Sequence, residues 1–199
     1  NSGQDIIPIP ADSTSEWRIT RYGIGLFCVD IYNSLYYVNG TAYINDKEYY
    51  QIYETGEFHQ EFFEPGAVCD DEYEYEGVFR GYIRTENGKV YYYDGWYEYL
   101  LLDFTLNVGD IMTTYISPGL IIGSIDSVWI GDQYRKRFNF TNGDVCHWMI
   151  EGVGHELGLF EPMFLYEGGS TFHCYGENNI PLYGELDCIL NVGLEDTHS

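Results

Sequence analysis

Gly81-Tyr82-Ile83-Arg84-Thr85-Glu86-Asn87-Gly88-Lys89-Val90-Tyr91-Tyr92-Tyr93-Asp94 is the stretch that decides the fold. Asn-Gly is the preferred pair for a two-residue type I′ turn, because both central positions need positive φ. The flanks, residues 77–86 and 89–94, are rich in aromatic and β-branched residues, which favour strands. A two-residue loop sets the register: Glu86 faces Lys89, Arg84 faces Tyr91 and Tyr82 faces Tyr93. Opposite charges beside the turn support that register. A second Asn-Gly, at 142–143, separates residues 135–141 from 144–151. The same rule puts Phe138 opposite His147 and Arg137 opposite Trp148, a cation–π pair.

Outward from these hairpins the hydrophobic period stays at two. Further strands are expected over residues 34–44, 48–54, 96–104, 110–116, 120–130, 170–175 and 180–187. Residues 16–26 or 155–161 could hold a single helical turn, and no longer amphipathic helix stands out. About ten short, regularly spaced strands imply an all-β fold. Neighbouring hairpins favour an antiparallel meander forming a lipocalin-like barrel, with a two-sheet sandwich as second choice. Residues 1–15, polar with Pro8 and Pro10, read as a mobile or extended lead-in, and 16–199 as one domain.

Charge narrows the partners. Thirty-two acids face nine bases, a formal net charge of −23. Such a surface repels nucleic-acid phosphates and anionic membranes. With 21 Tyr, 11 Phe and 4 Trp, the chain has the aromatic content of a packed core rather than of a disordered acidic segment. No run is apolar enough for a transmembrane segment, and the polar start Asn1-Ser2-Gly3-Gln4-Asp5 is expected of a trimmed, exported protein. Of five cysteines, Cys174 and Cys188 close a short loop. A bridge there would contribute ~3 kcal/mol. Cys28 with Cys69 is the other pairing considered, and Cys146 reads as a small buried hydrophobe.

Motifs for chemistry are sparse. His155-Glu156-Leu157-Gly158 imitates the start of a zinc-protease helix, but Leu159 stands where the second histidine belongs. Gly152, Gly154 and Gly158 also disfavour a helix there. His147 and Glu151 share a strand face yet lie roughly 13 Å apart, too far to chelate one ion. No calcium loop and no nucleophile elbow occur, so neither metal nor cofactor is expected. Glu151, between an apolar run and a glycine turn, is the best single candidate for a glycan hydrolase with a second carboxylate. The plainer reading makes it a cap for the amides of the 152–154 turn. Aromatic display is the remaining signal: Tyr91, Tyr93, Trp96 and Tyr97, with Trp148 of the second hairpin, are the candidate ligand-binding residues.

Three segments also resemble a known family: residues 81–92, residues 101–110, and Trp148-Met149-Ile150-Glu151-Gly152-Val153-Gly154 followed by Gly158-Leu159. Together they resemble an uncharacterised secreted all-β domain of Bacteroidetes, some members of which carry sorting tails or lipid anchors. His155 and Leu102 depart from its usual serine and tyrosine. The resemblance implies export, an all-β fold and a late cysteine pair at Cys174 and Cys188; it implies no activity. The expectation is an exported, non-enzymatic module that binds a glycan, a small apolar ligand or a protein. A hydrolase using Glu151 is the alternative, and a cation-stabilised structural module a third.

Overall fold

The computed structural model describes residues 6–25, 27–62, 68–142, 146–164, 168–185 and 188. Among them are strands β1 (Ser15–Ile24), β2 (Cys28–Ile44), β3 (Lys47–Phe62), β4 (Glu72–Glu86), β5 (Lys89–Tyr93), β6 (Glu98–Asp103), β7 (Ile111–Thr113), β8 (Pro118–Ile130), β9 (Gln133–Phe140), β10 (Trp148–Ile150), β11 (Gly154–His155), β12 (Gly168–Glu177) and β13 (Ile180–Gly184), and no helix. The fold is all-β and antiparallel. One sheet, in the order β13-β12-β1-β2-β3-β4-β5-β6, is strongly curled into a half-barrel. The other runs β11-β10-β9-β8-β7. Most neighbours follow one another in sequence, as in a meander. The exception is β12, which returns to pair with β1.

The first hairpin has the expected register, with Glu86 opposite Lys89, Arg84 opposite Tyr91 and Tyr82 opposite Tyr93. Asn87 and Gly88 take φ of 51° and 77°, as a type I′ turn requires. The φ of 77° is what favours glycine at 88, and a Cβ there would also push aside Ile6 Cδ1, 2.4 Å away.

The second hairpin differs from expectation. Trp148 pairs with Asn139, Met149 with Phe138 and Ile150 with Arg137, two residues away from a tight Asn-Gly turn. The cause is Asn142. Its Oδ1 accepts from Ile121 N at 2.7 Å and its Nδ2 donates to Gly119 O at 3.1 Å, so the side chain serves β8. Phe140 N then donates to His147 O, and the connection is longer than two residues. Arg137 binds Asp126 at 2.9 and 2.7 Å instead of facing Trp148. Parts of the expected strands 144–151 and 180–187 lie outside the described residues.

Two further expectations need correcting. Residues 16–25, the described part of 16–26, are not a helical turn but mostly strand β1, whose Trp17 and Ile19 alternate into the core. Nor is all of 1–15 a loose lead-in. Ile9 is fully buried, and its N–H and C=O both bond the Thr85 hydroxyl at 2.9 Å. A polar average hid one apolar anchor.

A single core joins the two sheets. Trp17, Tyr36, Ile52, Ile83, Leu101 and Leu102 enter it from the curled sheet, and Ile122, Ile130, Phe138 and Met149 from the other. Full burial of each such side chain stabilises by roughly 1.5–3 kcal/mol. Cys28–Cys69 and Cys174–Cys188 are disulfides, and Cys146 is a buried thiol. Two disulfides fit an oxidising, exported setting. No helix among the described residues is long and apolar enough to cross a membrane.

Candidate functional site

The site begins with the alternation of β10. Met149 is buried in the core, so its neighbour Trp148 faces the other way and stays partly accessible. There it meets the β12–β13 hairpin. Its ring stands at 86° to Phe172 and 87° to Tyr183, with centroids 6.0 and 5.6 Å away. Phe172 and Tyr183 lie at 35° to each other, 6.3 Å apart. The three rings thus form two walls of a corner. This corner belongs to a groove of about 560 Å³ that Val128, Trp129 and Leu182 extend. That volume suits a small organic ligand. Trp129 is 57% exposed and packs edge-on against Tyr134 at 4.9 Å.

Polar groups converge on the same groove. Glu156, His173 and Glu185 line it. Glu156 Oε2 pairs with His147 Nδ1 at 2.9 Å and also accepts from the His147 backbone N–H. Glu185 Oε1 pairs with His173 Nδ1 at 3.3 Å. His173 Nε2 lies 2.8 Å from the Thr20 hydroxyl, which donates to Asn33 Oδ1 at 2.7 Å. These bonds hold the imidazole in place. Burial pushes the Tyr183 phenol above its usual range, so it is a neutral donor at physiological pH.

Of the candidate ligand-binding residues read from the sequence, only Trp148 lines the groove. Tyr91 and Tyr93 lie on the face of β5 opposite the core-directed Val90 and Tyr92. There the Arg84 guanidinium covers Tyr91 at 4.2 Å, and Tyr93 packs near Tyr49 and Tyr82. Trp96, 84% exposed, and Tyr97 sit in a turn closed by Asp94 Oδ1, which accepts from both backbone N–H groups. This hairpin is at the far end of the eight-stranded order from β12 and β13. Sequence reasoning missed Trp129, Phe172, Leu182 and Tyr183. Their strands were legible, but nothing local says which aromatic meets which.

The remaining candidates are structural. Glu151 is fully buried. Its Oε2 accepts from Lys136 N at 3.1 Å, and its Oε1 lies 3.5 Å from Lys136 Nζ. It therefore anchors to β9 rather than capping the 152–154 turn, and burial raises its pKa. His155 is also fully buried, and burial pushes its pKa down to about 3. Its Nδ1 accepts from Leu157 N at 3.3 Å and lies 4.0 Å from Cys146 Sγ. Burial pushes the Cys146 thiol up to about 12. A neutral thiol beside a neutral imidazole is the opposite of an activated nucleophile. Among the described residues no group of three or more His, Cys, Asp or Glu side chains is placed to hold a metal ion.

One polar cluster had no sequence signal. Buried Glu54 accepts from the Ser34 hydroxyl and the Tyr75 hydroxyl, both at 2.7 Å, and pairs with Arg21 and Arg80. Glu161, buried beside it, accepts from the Tyr36 hydroxyl at 2.9 Å and from Leu159 N and Phe160 N. Burial opposes the charge of Arg21, but Tyr36, Glu54, Glu161 and Tyr75 outweigh it and hold the guanidinium more firmly protonated. Two arginines and two acids nearly balance, and Glu54's acceptors are taken by protein groups. No family model, curated protein or solved structure matches this chain.

Proposed function

We propose that the protein is an exported, non-enzymatic glycan-binding module, of the secreted Bacteroidetes kind its three motif segments resemble. Its ligand sits in the groove between β8–β10 and β12–β13. The observation that carries this reading is Trp148, perpendicular to Phe172 and Tyr183 beside Glu156 and Glu185. Aromatic faces offer the weakly polar C–H side of a sugar ring a flat apolar contact. Carboxylates and the imidazole serve its hydroxyls. The two disulfides support export. The test is calorimetry against a panel of soluble glycan oligomers. Trp148→Ala should weaken the best binder by up to about tenfold, the scale of one lost aromatic contact, with an unchanged circular dichroism spectrum. Trp96→Ala, at the distant hairpin tip, should leave it unchanged. No binding across the panel, or a loss caused by Trp96→Ala alone, overturns the assignment.

A glycan hydrolase is the second reading, and one observation reshapes it. Glu151 is sealed against Lys136, whereas Glu156 and Glu185 both line the groove. Any turnover would use that pair. Product release from the bound oligomer, abolished by Glu156→Gln, would replace the binding assignment with the hydrolytic one.

A further inference from the structure

We infer that the groove selects a positively charged glycan: an oligomer of amino sugars whose amino groups are free and protonated. This rests on the glycan-binding reading above and adds a charge to the ligand. Three observations support it. Glu156 and Glu185 both line the groove, and their side-chain ion partners are histidines, His147 and His173; among the described residues no lysine or arginine joins the lining. Arg137, which interacts with the lining residue Tyr183, is occupied by Asp126 through two bonds. The walls are aromatic, and the faces of Trp and Tyr carry negative potential that attracts a cation within about 6 Å of the ring centroid.

The whole molecule reinforces this local sign. With a net charge of −23, the field outside the groove concentrates cations and repels anions. A uronic acid would meet Glu156 and Glu185 with like charge. A neutral sugar would give them ordinary hydroxyl donors. An ammonium gives them charge-assisted hydrogen bonds, roughly twice as strong. The aromatic corner then offers its apolar faces to the ring carbons beside the ammonium.

The test compares two ligands of one sugar backbone, titrated calorimetrically at pH 6 and low salt: a glucosamine hexamer, whose amino groups are protonated, and its fully N-acetylated counterpart, which is neutral and carries acetyl groups instead. The glucosamine oligomer should bind about tenfold more tightly, from one or two charge-assisted bonds. The gap should shrink in 0.5 M salt, where screening shortens the reach of the field. Glu156→Gln combined with Glu185→Gln should remove the gap while keeping the neutral affinity. Glu72→Gln with Glu74→Gln, the same charge change on β4, should preserve it. Equal or tighter binding of the acetylated oligomer overturns the charge selectivity and leaves the glycan reading standing. A gap that survives the groove variant and falls with the β4 variant also overturns it, because diffuse attraction then explains the preference. If neither oligomer binds and no neutral glycan does, both readings fall.

Discussion

The long strands of the curled sheet can be compared half against half. In one half the inward positions are Trp17 and Ile19 on β1, Tyr36 on β2, Ile52 on β3 and Ile83 on β4, apolar apart from the Trp17 indole N–H and the Tyr36 hydroxyl, and all in the core shared with the second sheet. Further along the same strands and on the same face come Arg21, then Ser34 and Tyr32, then Glu54 and Gly56, and Tyr75. None of these belongs to the shared core. The same strands run through both halves, with register shifts in the β3–β4 pairing between Ile52 and Tyr53 and between Glu54 and Gly56. What also changes is the opposite layer: where a second sheet supplies apolar partners, the inward row is aliphatic and aromatic, and where it does not, the row is a hydrogen-bonded ionic network. Gly56 is required there by close backbone approach, because a Cβ would fall 2.1 Å from Asn33 O as well as 2.9 Å from the Tyr75 hydroxyl.

The sharpest way to break the comparison is to empty the apolar half. Trp17→Ala should destabilise by about 4 kcal/mol in chemical denaturation, since its ring is fully buried and its Nε1 donates to Val153 O. Next is the ionic half. Glu54→Leu should cost about 3 kcal/mol, because it strands Arg21 and Arg80 beside apolar groups. Arg21→Met added to Glu54→Leu should recover part of that loss, and a neutral Glu54→Leu would show that the network contributes nothing.

A third test lies on the outer face. Arg84 first, then Tyr49 and Lys47, hold Glu98 down to about 2 from its ordinary 4.5. A depressed carboxylate stabilises the fold above the unfolded pKa, and that contribution is lost as pH falls through the folded value. Glu98→Gln should therefore cost about 1.5 kcal/mol at pH 7, and the difference from wild type should shrink from pH 4.5 downward, vanishing near 2. His155 titrates in a different window. Burial lowers it from 6.5 to about 3, so the unfolded chain binds the extra proton first as pH falls. Stability should drop by about 1 kcal/mol between pH 6.5 and 5.5 on this account. Glu16, raised to about 7 by burial, contributes the opposite slope. The informative quantity is thus wild type minus His155→Gln, and equal slopes would refute the assignment. The smallest effect is expected at the groove: Trp129→Ala should shift stability by no more than about 0.5 kcal/mol, while weakening oligomer binding.

Legibility followed the range of the deciding contact. Asn87-Gly88 set its hairpin because turn and register are specified within a few residues. The same dipeptide at 142–143 failed, since Asn142 is bound by Gly119 and Ile121 more than 20 residues away. Trp148 could be marked as an available aromatic, but Phe172 and Tyr183 reach it only because β12 pairs with β1, joining residues as far apart as Ser15 and Glu177. Arg21, Glu54 and Arg80 each look like ordinary surface charges in sequence.

By itself, then, the chain determined its strand content, its first hairpin with register, its acidity and its export-compatible cysteines. Each of these depends on composition or on neighbours a few bonds apart. Only the tertiary structure decided that β12 returns to β1, that Glu151 is sealed while Glu156 and Glu185 line a groove, and which aromatics form its walls. Those outcomes depend on which faces the two sheets bury together, and alternation along a strand specifies two faces without saying what will cover either.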